Sequence, residues 1–179
     1  MDTYRLAAIL VASIFIGAFS RPSEAGNFDF VINGKSYHVN SRYDWNEDNV
    51  GVGFEYEFKP QSRWIKSISA SGFTDSLENM TYMAGAGLKR RLVTTERFGG
   101  MYFDAGVVAF LMTREDINDG NVFPGVLPVV SVGNRFAGIN LTYLPKMVVH
   151  DMAHANVVDP TIDGVFFMQF KLRMNGARD

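Results

Sequence analysis

Residues 50–58, VGVGFEYEF, decide the fold class of this chain. Valine, phenylalanine or tyrosine occupies every second position, and glycine or glutamate occupies the positions between. A period of two places the two kinds of side chain on opposite faces of a β-strand. One face of this segment is wholly apolar, and the other carries Glu55 and Glu57. The segment is therefore predicted to be a strand that separates an apolar from a polar environment.

The same alternation recurs along the chain. It is clear in residues 101–112, 136–144 and 166–174, and it is weaker in 35–43, 64–73, 81–92 and 123–133. In chain order, with 35–43 as the first segment and 50–58 as the second, short connections follow the second, fourth and sixth segments. Mostly longer, more polar connections follow the first, third, fifth and seventh. Such a difference between the two rims is typical of outer-membrane barrels. The pattern predicts an all-β chain folded as one eight-stranded antiparallel barrel.

Charged side chains indicate which face of the barrel is inside. Glu55, Glu57, Asp104, Lys171 and Arg173 all lie opposite the apolar face of their strands. The alternative is a soluble eight-stranded barrel that binds a ligand in its interior, as lipocalins do. A charge on the lipid-facing side at mid-bilayer would cost about 2–4 kcal/mol, which would keep the alternation strict. The pattern favours a membrane-embedded barrel over a soluble one.

Aromatic residues near the ends of these segments support the same placement. Tyr43, Trp45, Trp64, Tyr102 and Tyr143 are predicted to anchor the barrel at the two membrane interfaces.

The first 25 residues have the pattern of a targeting signal. Residues 6–19, LAAILVASIFIGAF, are uncharged but shorter than the about 20 apolar residues that a spanning helix needs. Ser23 and Ala25 then supply small side chains at positions −3 and −1 of a cleavage site. We predict a signal peptide at 1–25 and a single transmembrane barrel domain at 26–179, with an anchor helix as the alternative. The expected location is the bacterial outer membrane.

Composition excludes several classes of function. A net charge of −2 argues against a nucleic-acid partner, and the lack of cysteine excludes disulfides, thiol nucleophiles and cysteine-bound metals. His150, Asp151 and His154 have a spacing that can bind zinc on a helix, but no third ligand follows at a recognised spacing. No metal and no cofactor are therefore expected.

Four short matches, in order along the chain, carry a family resemblance. They are residues 28–38, with His38 at the end; 73–87 (FTDSLENMTYMAGAG), with Asp75 and Ser76; 123–133 (FPGVLPVVSVG); and 141–145 (LTYLP). Together they resemble the outer-membrane lipid A palmitoyltransferase family, PagP. The resemblance implies transfer of a palmitoyl group from the sn-1 position of a phospholipid donor to the hydroxyacyl chain of a lipid A acceptor.

The resemblance also implies site residues. His38, Asp75 and Ser76 match the functional residues of the family, Gly87 matches the glycine that measures acyl length, and Pro145 matches a proline that opens a lateral door for lipid. Acyl transfer needs a base and an oxyanion donor, and His38 is the natural base because its pKa lies near working pH. Asp75 could orient it, and Ser76 could serve as oxyanion donor or nucleophile. Because neighbouring strand residues point to opposite faces, Asp75 and Ser76 are expected on a loop.

Further readings come from the residues themselves. Met83, Gly85 and Gly87 share one strand face, so the glycines either leave a slot for an alkyl tail or only relieve crowding. Arg114 is the best candidate for contact with the phosphorylated sugars of lipid A. The chain is expected to act as a monomer. The rival functions are a non-catalytic structural or adhesive barrel and a lipid hydrolase.

Three departures from the family pattern are expected to matter. The amphipathic helix before the first strand is absent or vestigial, and Asn49 stands where the family has a second door proline. The last loop, residues 146–163, is longer than usual, and residues 175–179 extend past the final strand.

Overall fold

The computed structural model describes residues 26–60, 62–147 and 161–174. Its eight strands are β1 (Asn27–Val39), β2 (Asp48–Glu57), β3 (Trp64–Thr74), β4 (Met80–Thr95), β5 (Met101–Thr113), β6 (Phe123–Gly133), β7 (Ala137–Pro145) and β8 (Gly164–Arg173). Each strand pairs antiparallel with its sequence neighbours, and β1 pairs with β8 to close the barrel. The predicted eight-stranded barrel is confirmed. None of the described helices is long and apolar enough to cross a membrane.

The predicted position of β1 is wrong. The strand begins at Asn27 rather than at residue 35, and it ends at Val39, where Asn40 takes a positive φ of 57°. A bulge between Asn33 and Lys35 is the physical reason, because one extra residue reverses the parity of the alternation. Side chains at even positions face outward before the bulge and inward after it, so no single period-two pattern spans the strand.

The two ends of the barrel differ as predicted. The loop end carries residues 40–47, 75–79 and 114–122, together with the β7–β8 connection. The turn end carries residues 58–63, 96–100 and 134–136. A short helical segment, α1 (Arg97–Gly100), lies at the turn end, and a 3₁₀ turn (Asn118–Gly120) lies at the loop end. The predicted signal peptide and most of loop 146–163 lie outside the described residues.

The outward face of the barrel is apolar. Large hydrophobic side chains on this face remain exposed on neighbouring strands: Ile32, Val52, Phe54, Val107, Leu111, Val126, Leu141, Phe170 and Leu172. A soluble monomer rarely exposes a continuous apolar surface of this extent, whereas a lipid-facing barrel needs one. The surface is therefore suited to contact with acyl chains.

The inside of the barrel near its turn end holds a neutral ion cluster. The cluster consists of Asp29, Glu55, Glu57, Lys89, Lys171 and Arg173. Lys89 Nζ donates to Glu55 Oε1 and to Glu57 Oε1, both at 2.9 Å. Lys171 Nζ donates to Glu57 Oε1 at 3.0 Å. Arg173 donates to both oxygens of Asp29 and to Glu57 Oε2, at 2.8, 3.2 and 3.2 Å.

Burial makes this pairing essential to the fold. Lys89 and Lys171 are only 2% and 1% exposed, and the three carboxylates are buried as well. Buried charges are tolerated only where opposite charges and hydrogen bonds replace water. Three carboxylates and three cations cancel here, and the six residues come from β1, β2, β4 and β8. The cluster thus joins strands from opposite sides of the barrel.

Neighbouring polar groups extend the cluster to the remaining side of the barrel. Asn140 Nδ2 donates to Glu55 Oε2 at 2.8 Å, and Ser131 Oγ donates to Asn140 Oδ1 at 2.6 Å. Arg91 binds both oxygens of the buried Asp104 at 2.9 and 3.0 Å. Strands β5, β6 and β7 are thereby tied into the same polar interior.

The sheet is interrupted at one position on its loop end. Strands β6 and β7 pair only over Val129–Gly133 and Gly138–Thr142. The outer part of β6, including Pro128, pairs with β5, while Pro145 at the end of β7 pairs with β8. Proline has no N–H to give to a sheet, so it favours such gaps. Strands β1 and β2, by contrast, stay paired as far as Lys35 and Asp48.

Removal of one buried charge tests the cluster. We expect Lys89→Ala to lower the free energy of unfolding by about 3–5 kcal/mol, because Glu55 and Glu57 would lose their shared cation while still buried. Urea unfolding in detergent micelles, followed by electrophoretic mobility, measures the change. Lys66→Ala removes an exposed lysine from β3 and is expected to have little effect. Equal stabilities for the two variants would contradict the structural role of the cluster.

Candidate active site

A cavity opens inside the barrel at its loop end. It has a volume of about 180 Å³, and its wall is largely apolar. Phe110, Leu127 and Ile117 form a buried cluster in this wall, with Met83 and Val108 packed against them. Ile117 belongs to loop 114–122 and folds inward. The cavity therefore offers an apolar slot that is reached from the end with the longer loops.

The floor of the cavity is polar. Glu55, Lys89 and Asn140 line it, so the upper surface of the ion cluster closes the slot. Gly87 lines the wall just above, two residues before Lys89 on the same face of β4. A Cβ atom at Gly87 would lie 2.5 Å from Ser67 Oγ, which leaves no room for a side chain without movement. Gly87 therefore lies on the inward face of β4.

His38 lies at the upper end of the cavity wall. It is 9% exposed and stacks on Trp45, with ring centroids 5.3 Å apart and an interplanar angle of 18°. Glu47 Oε1 is 3.4 Å from His38 Nδ1 and also accepts the His38 backbone N–H at 3.0 Å. The carboxylate beside His38 is therefore that of Glu47, and among the described residues no hydrogen bond joins Asp75 to His38.

Asp75 organises the loop on which it lies. Its Oδ1 accepts the backbone N–H groups of Leu77 and Asn79 at 2.8 and 3.0 Å, and its Oδ2 accepts Thr81 Oγ1 at 3.2 Å. Asp75 is 1% exposed. Both oxygens of the Asp75 carboxylate therefore accept local hydrogen bonds, and these bonds fix the loop of residues 75–79.

Ser76 is presented to the cavity by this loop. It lines the cavity together with His38, and its backbone oxygen accepts the Asn46 N–H at 3.1 Å. The expected loop position of Asp75 and Ser76 is confirmed. Within the described part of the chain, no hydrogen bond joins the Ser76 hydroxyl to His38.

Arg114 lies at the same rim and is half-buried. Its Nε and Nη2 donate to the two oxygens of Asp116 at 2.9 and 3.0 Å, and Nε lies 3.5 Å from Asp75 Oδ2. Its remaining nitrogen, Nη1, makes no hydrogen bond to the described residues. Arg114 therefore pairs with Asp116, lies close to Asp75, and still has Nη1 donors to offer at the cavity mouth.

Two buried polar atoms in the cavity wall have no hydrogen-bond partner among the described residues. They are Ser36 Oγ and Asn49 Oδ1. Asn49 Nδ2 donates to Thr74 O at 3.0 Å, which joins β2 to the end of β3. Unpaired buried polar atoms cost free energy, so these two are available to polar atoms of a substrate.

Several functional side chains were missed or misplaced by the sequence patterns. Asp29, a member of the ion cluster, was missed because it falls outside the predicted β1. Lys89, another member, was also missed, but it shares the face of Gly87 and could have been found from the alternation. Trp45 and Tyr102 were predicted to anchor the barrel at the membrane. Trp45 instead packs on His38, and Tyr102 is buried inside the barrel under Arg91, 6% exposed. Trp64, at 50% exposure on β3, has the expected outward position.

Comparison with known proteins identifies the family. The family model described as "Antimicrobial peptide resistance and lipid A acylation protein PagP" matches residues 22–158. The chain belongs to the PagP family. It is 31% identical over 131 residues to the lipid A acyltransferase PagP of Bordetella pertussis, and equally to that of Bordetella bronchiseptica, with 69% of each chain covered. The lipid A acyltransferase PagP of Methylobacillus flagellatus is 28% identical over 127 residues, which covers 67% of each chain.

The PagP match covers the part of the candidate site that lies on β1 to β7 and their loops, while the residues of β8 that line the cavity lie outside it. His38, Ser76, Gly87 and Pro145 lie within it, whereas β8 (Gly164–Arg173) lies beyond its end. The resemblance drawn from four short motifs is confirmed by this membership. The β1–β2 pairing shifts register opposite Asn49 and then continues to Ser36 and Glu47, and Glu47 contacts His38. The histidines at 150 and 154 lie outside the described residues.

Proposed function

We propose that the protein is an acyltransferase that moves a palmitoyl-type chain from the sn-1 position of a phospholipid to the hydroxyacyl chain of lipid A. Membership of the PagP family is the observation that carries this proposal, because the relatives are named as lipid A acyltransferases. The apolar cavity that ends beside His38 and Ser76 supplies a matching site. The proposed location is the bacterial outer membrane, in keeping with the apolar outer face of the barrel.

His38 is the proposed general base. It accepts the proton of the lipid A hydroxyl, and the hydroxyl oxygen attacks the carbonyl carbon of the phospholipid ester. The tetrahedral intermediate then expels the sn-1 glycerol oxygen, which recovers the proton from the histidine. The products are an acyl ester on lipid A and a lysophospholipid, so protons and acyl groups balance.

Ser76 is the proposed oxyanion donor. A serine nucleophile needs a base within hydrogen-bonding distance, whereas Ser76 and His38 line one cavity without such a bond. A hydroxyl held at the end of an ordered loop can donate to the developing negative charge on the ester oxygen. Asp75 is the residue that holds this loop, and it acts through the position of Ser76.

The acyl chain is proposed to lie in the apolar slot, with its methyl end at Gly87. The ionic floor would stop a longer chain, because an alkyl group cannot displace the paired charges of Glu55 and Lys89. Pro145, beside the unpaired part of β6 and β7, is proposed to border the route by which lipid enters from the membrane.

Other parts of the proposal concern the whole chain. Residues 1–25 are proposed to be a signal peptide, and residues 26–179 a single transmembrane barrel that acts as a monomer. No metal or cofactor has a role in the proposed chemistry. Metal-ligating side chains do not cluster within the described residues.

Mass spectrometry of membrane lipids tests the function. Cells that express the wild-type protein are expected to show a palmitoyl-sized addition on lipid A, together with lysophospholipid. His38→Ala should abolish both, and Ser76→Ala should reduce them by about 10²–10³-fold, the usual effect of losing an oxyanion donor. Free fatty acid without acylated lipid A would identify a hydrolase instead. Unchanged lipids, with a folded barrel in the membrane, would contradict enzymatic activity.

Substitution of Gly87, just above the floor of the slot, tests the acyl-length proposal. Gly87→Met fills the end of the slot, so the preferred acyl chain should become shorter by several carbons. Competition between phospholipids with acyl chains of different length measures the preference. Leu88→Met places the same side chain on the neighbouring position, which faces the other side of β4, and should keep the wild-type preference. A Gly87→Met enzyme with unchanged chain selectivity would overturn the proposal.

Arg114 is proposed to bind the phosphorylated sugars of lipid A through its free Nη1 donors. Arg114→Ala should raise the KM for lipid A by about 10-fold, which corresponds to loss of one charge-assisted contact. Glu115→Gln alters the exposed neighbour and should leave KM unchanged. Unaltered lipid A turnover by Arg114→Ala would remove this assignment.

A further inference from the structure

The β1–β2 loop makes contacts with both His38 and the loop that carries Ser76. Asn46 donates from its backbone to Ser76 O at 3.1 Å and from its side chain to Asp75 O at 3.0 Å. The next residue, Glu47, contacts His38, and Trp45 stacks on the histidine ring. Residues 45–47 therefore lie between the two catalytic groups and contact both.

The Glu47 carboxylate is fixed relative to His38 by several contacts. Its Oε1 accepts the His38 backbone N–H at 3.0 Å and lies 3.4 Å from Nδ1. The Glu47 backbone oxygen accepts the Ser36 N–H at 2.9 Å, which continues the β1–β2 pairing past Asp48. The Glu47 side chain is 39% exposed while the His38 side chain is 5% exposed. A carboxylate thus lies at the rim, directly beside a buried imidazole.

We propose that Glu47 is the positioning residue of this enzyme: its carboxylate accepts the Nδ1–H of His38 and leaves Nε2 free to act as the base. The inference rests on the proposed function, because it assigns the base a partner. A carboxylate can only accept, so it selects the tautomer that carries its proton on Nδ1. The stacked Trp45 ring restricts rotation of the imidazole and keeps Nδ1 directed at Glu47.

Asp75 cannot fill this role from its present position. Its oxygens already accept Leu77 N, Asn79 N and Thr81 Oγ1, and Arg114 lies 3.5 Å from Oδ2. Within the described residues, no hydrogen bond joins Asp75 to His38. The two carboxylates therefore have different roles: Asp75 fixes the Ser76 loop, and Glu47 fixes the imidazole.

Kinetics of the purified protein in detergent micelles, with phospholipid donor and lipid A acceptor, provide the first test. Glu47→Gln should lower kcat by at least about 10-fold, within the range that a positioned base contributes, and leave both KM values within about twofold. Glu47→Asp keeps the carboxylate and should recover part of kcat. Asp44→Asn removes an exposed carboxylate from the same loop and should match wild type.

Long-range ¹H–¹⁵N spectra of the histidine-labelled protein provide a readout that needs no turnover. Wild-type His38 should show a single neutral tautomer, protonated on Nδ1. The Glu47→Gln amide can donate as well as accept, so tautomer selection should be lost in that variant. One unchanged tautomer in Glu47→Gln would overturn the proposal even if kcat falls. An inactive wild type would count against the proposed function alone, because the tautomer result stands without it.

Discussion

The neutral ion cluster inside the barrel holds strands from opposite sides of the sheet together through buried charges. An eight-stranded barrel is just wide enough for side chains to fill, and here the filling at the turn end is ionic. Lys89 and Lys171 contact carboxylates from the first two strands, so the cluster fixes the relative positions of distant parts of the sheet. Loss of one member leaves the others charged and buried, which is why the set can persist only as a whole.

The cluster also shapes the cavity. Above Glu55 and Lys89 the interior changes from ionic to apolar within one or two side-chain layers, and Gly87 lies at this boundary. The same residues that stabilise the barrel therefore set the depth of the slot. The proposed reaction takes place at the opposite end, where the loops carry the polar groups and where the unpaired part of β6 and β7 interrupts the sheet.

The proposed catalytic groups come from elements that are separate in sequence. His38 lies on a strand, Ser76 lies on a loop, and residues 45–47 connect them through side-chain and backbone contacts. A strand fixes the histidine backbone but leaves its ring free to rotate. The stacking of Trp45 and the Glu47 carboxylate remove that freedom, so the geometry of the site depends on the first loop as much as on the barrel.

Alternation and motif spacing were enough to predict the eight-stranded barrel, the inward face of the charges, and the motif residues His38, Asp75, Ser76 and Gly87. These features are local: alternation fixes which face a side chain takes, and short motifs keep their spacing. Tertiary contacts alone place Glu47 rather than Asp75 beside His38, pack Trp45 on the histidine ring, and bring Asp29 into the ion cluster. The bulge at residues 33–35 reversed the parity of β1, and loop contacts such as those of Glu47 have no sequence period. Their partners are set by closure of the barrel, which brings together residues that are far apart in the chain.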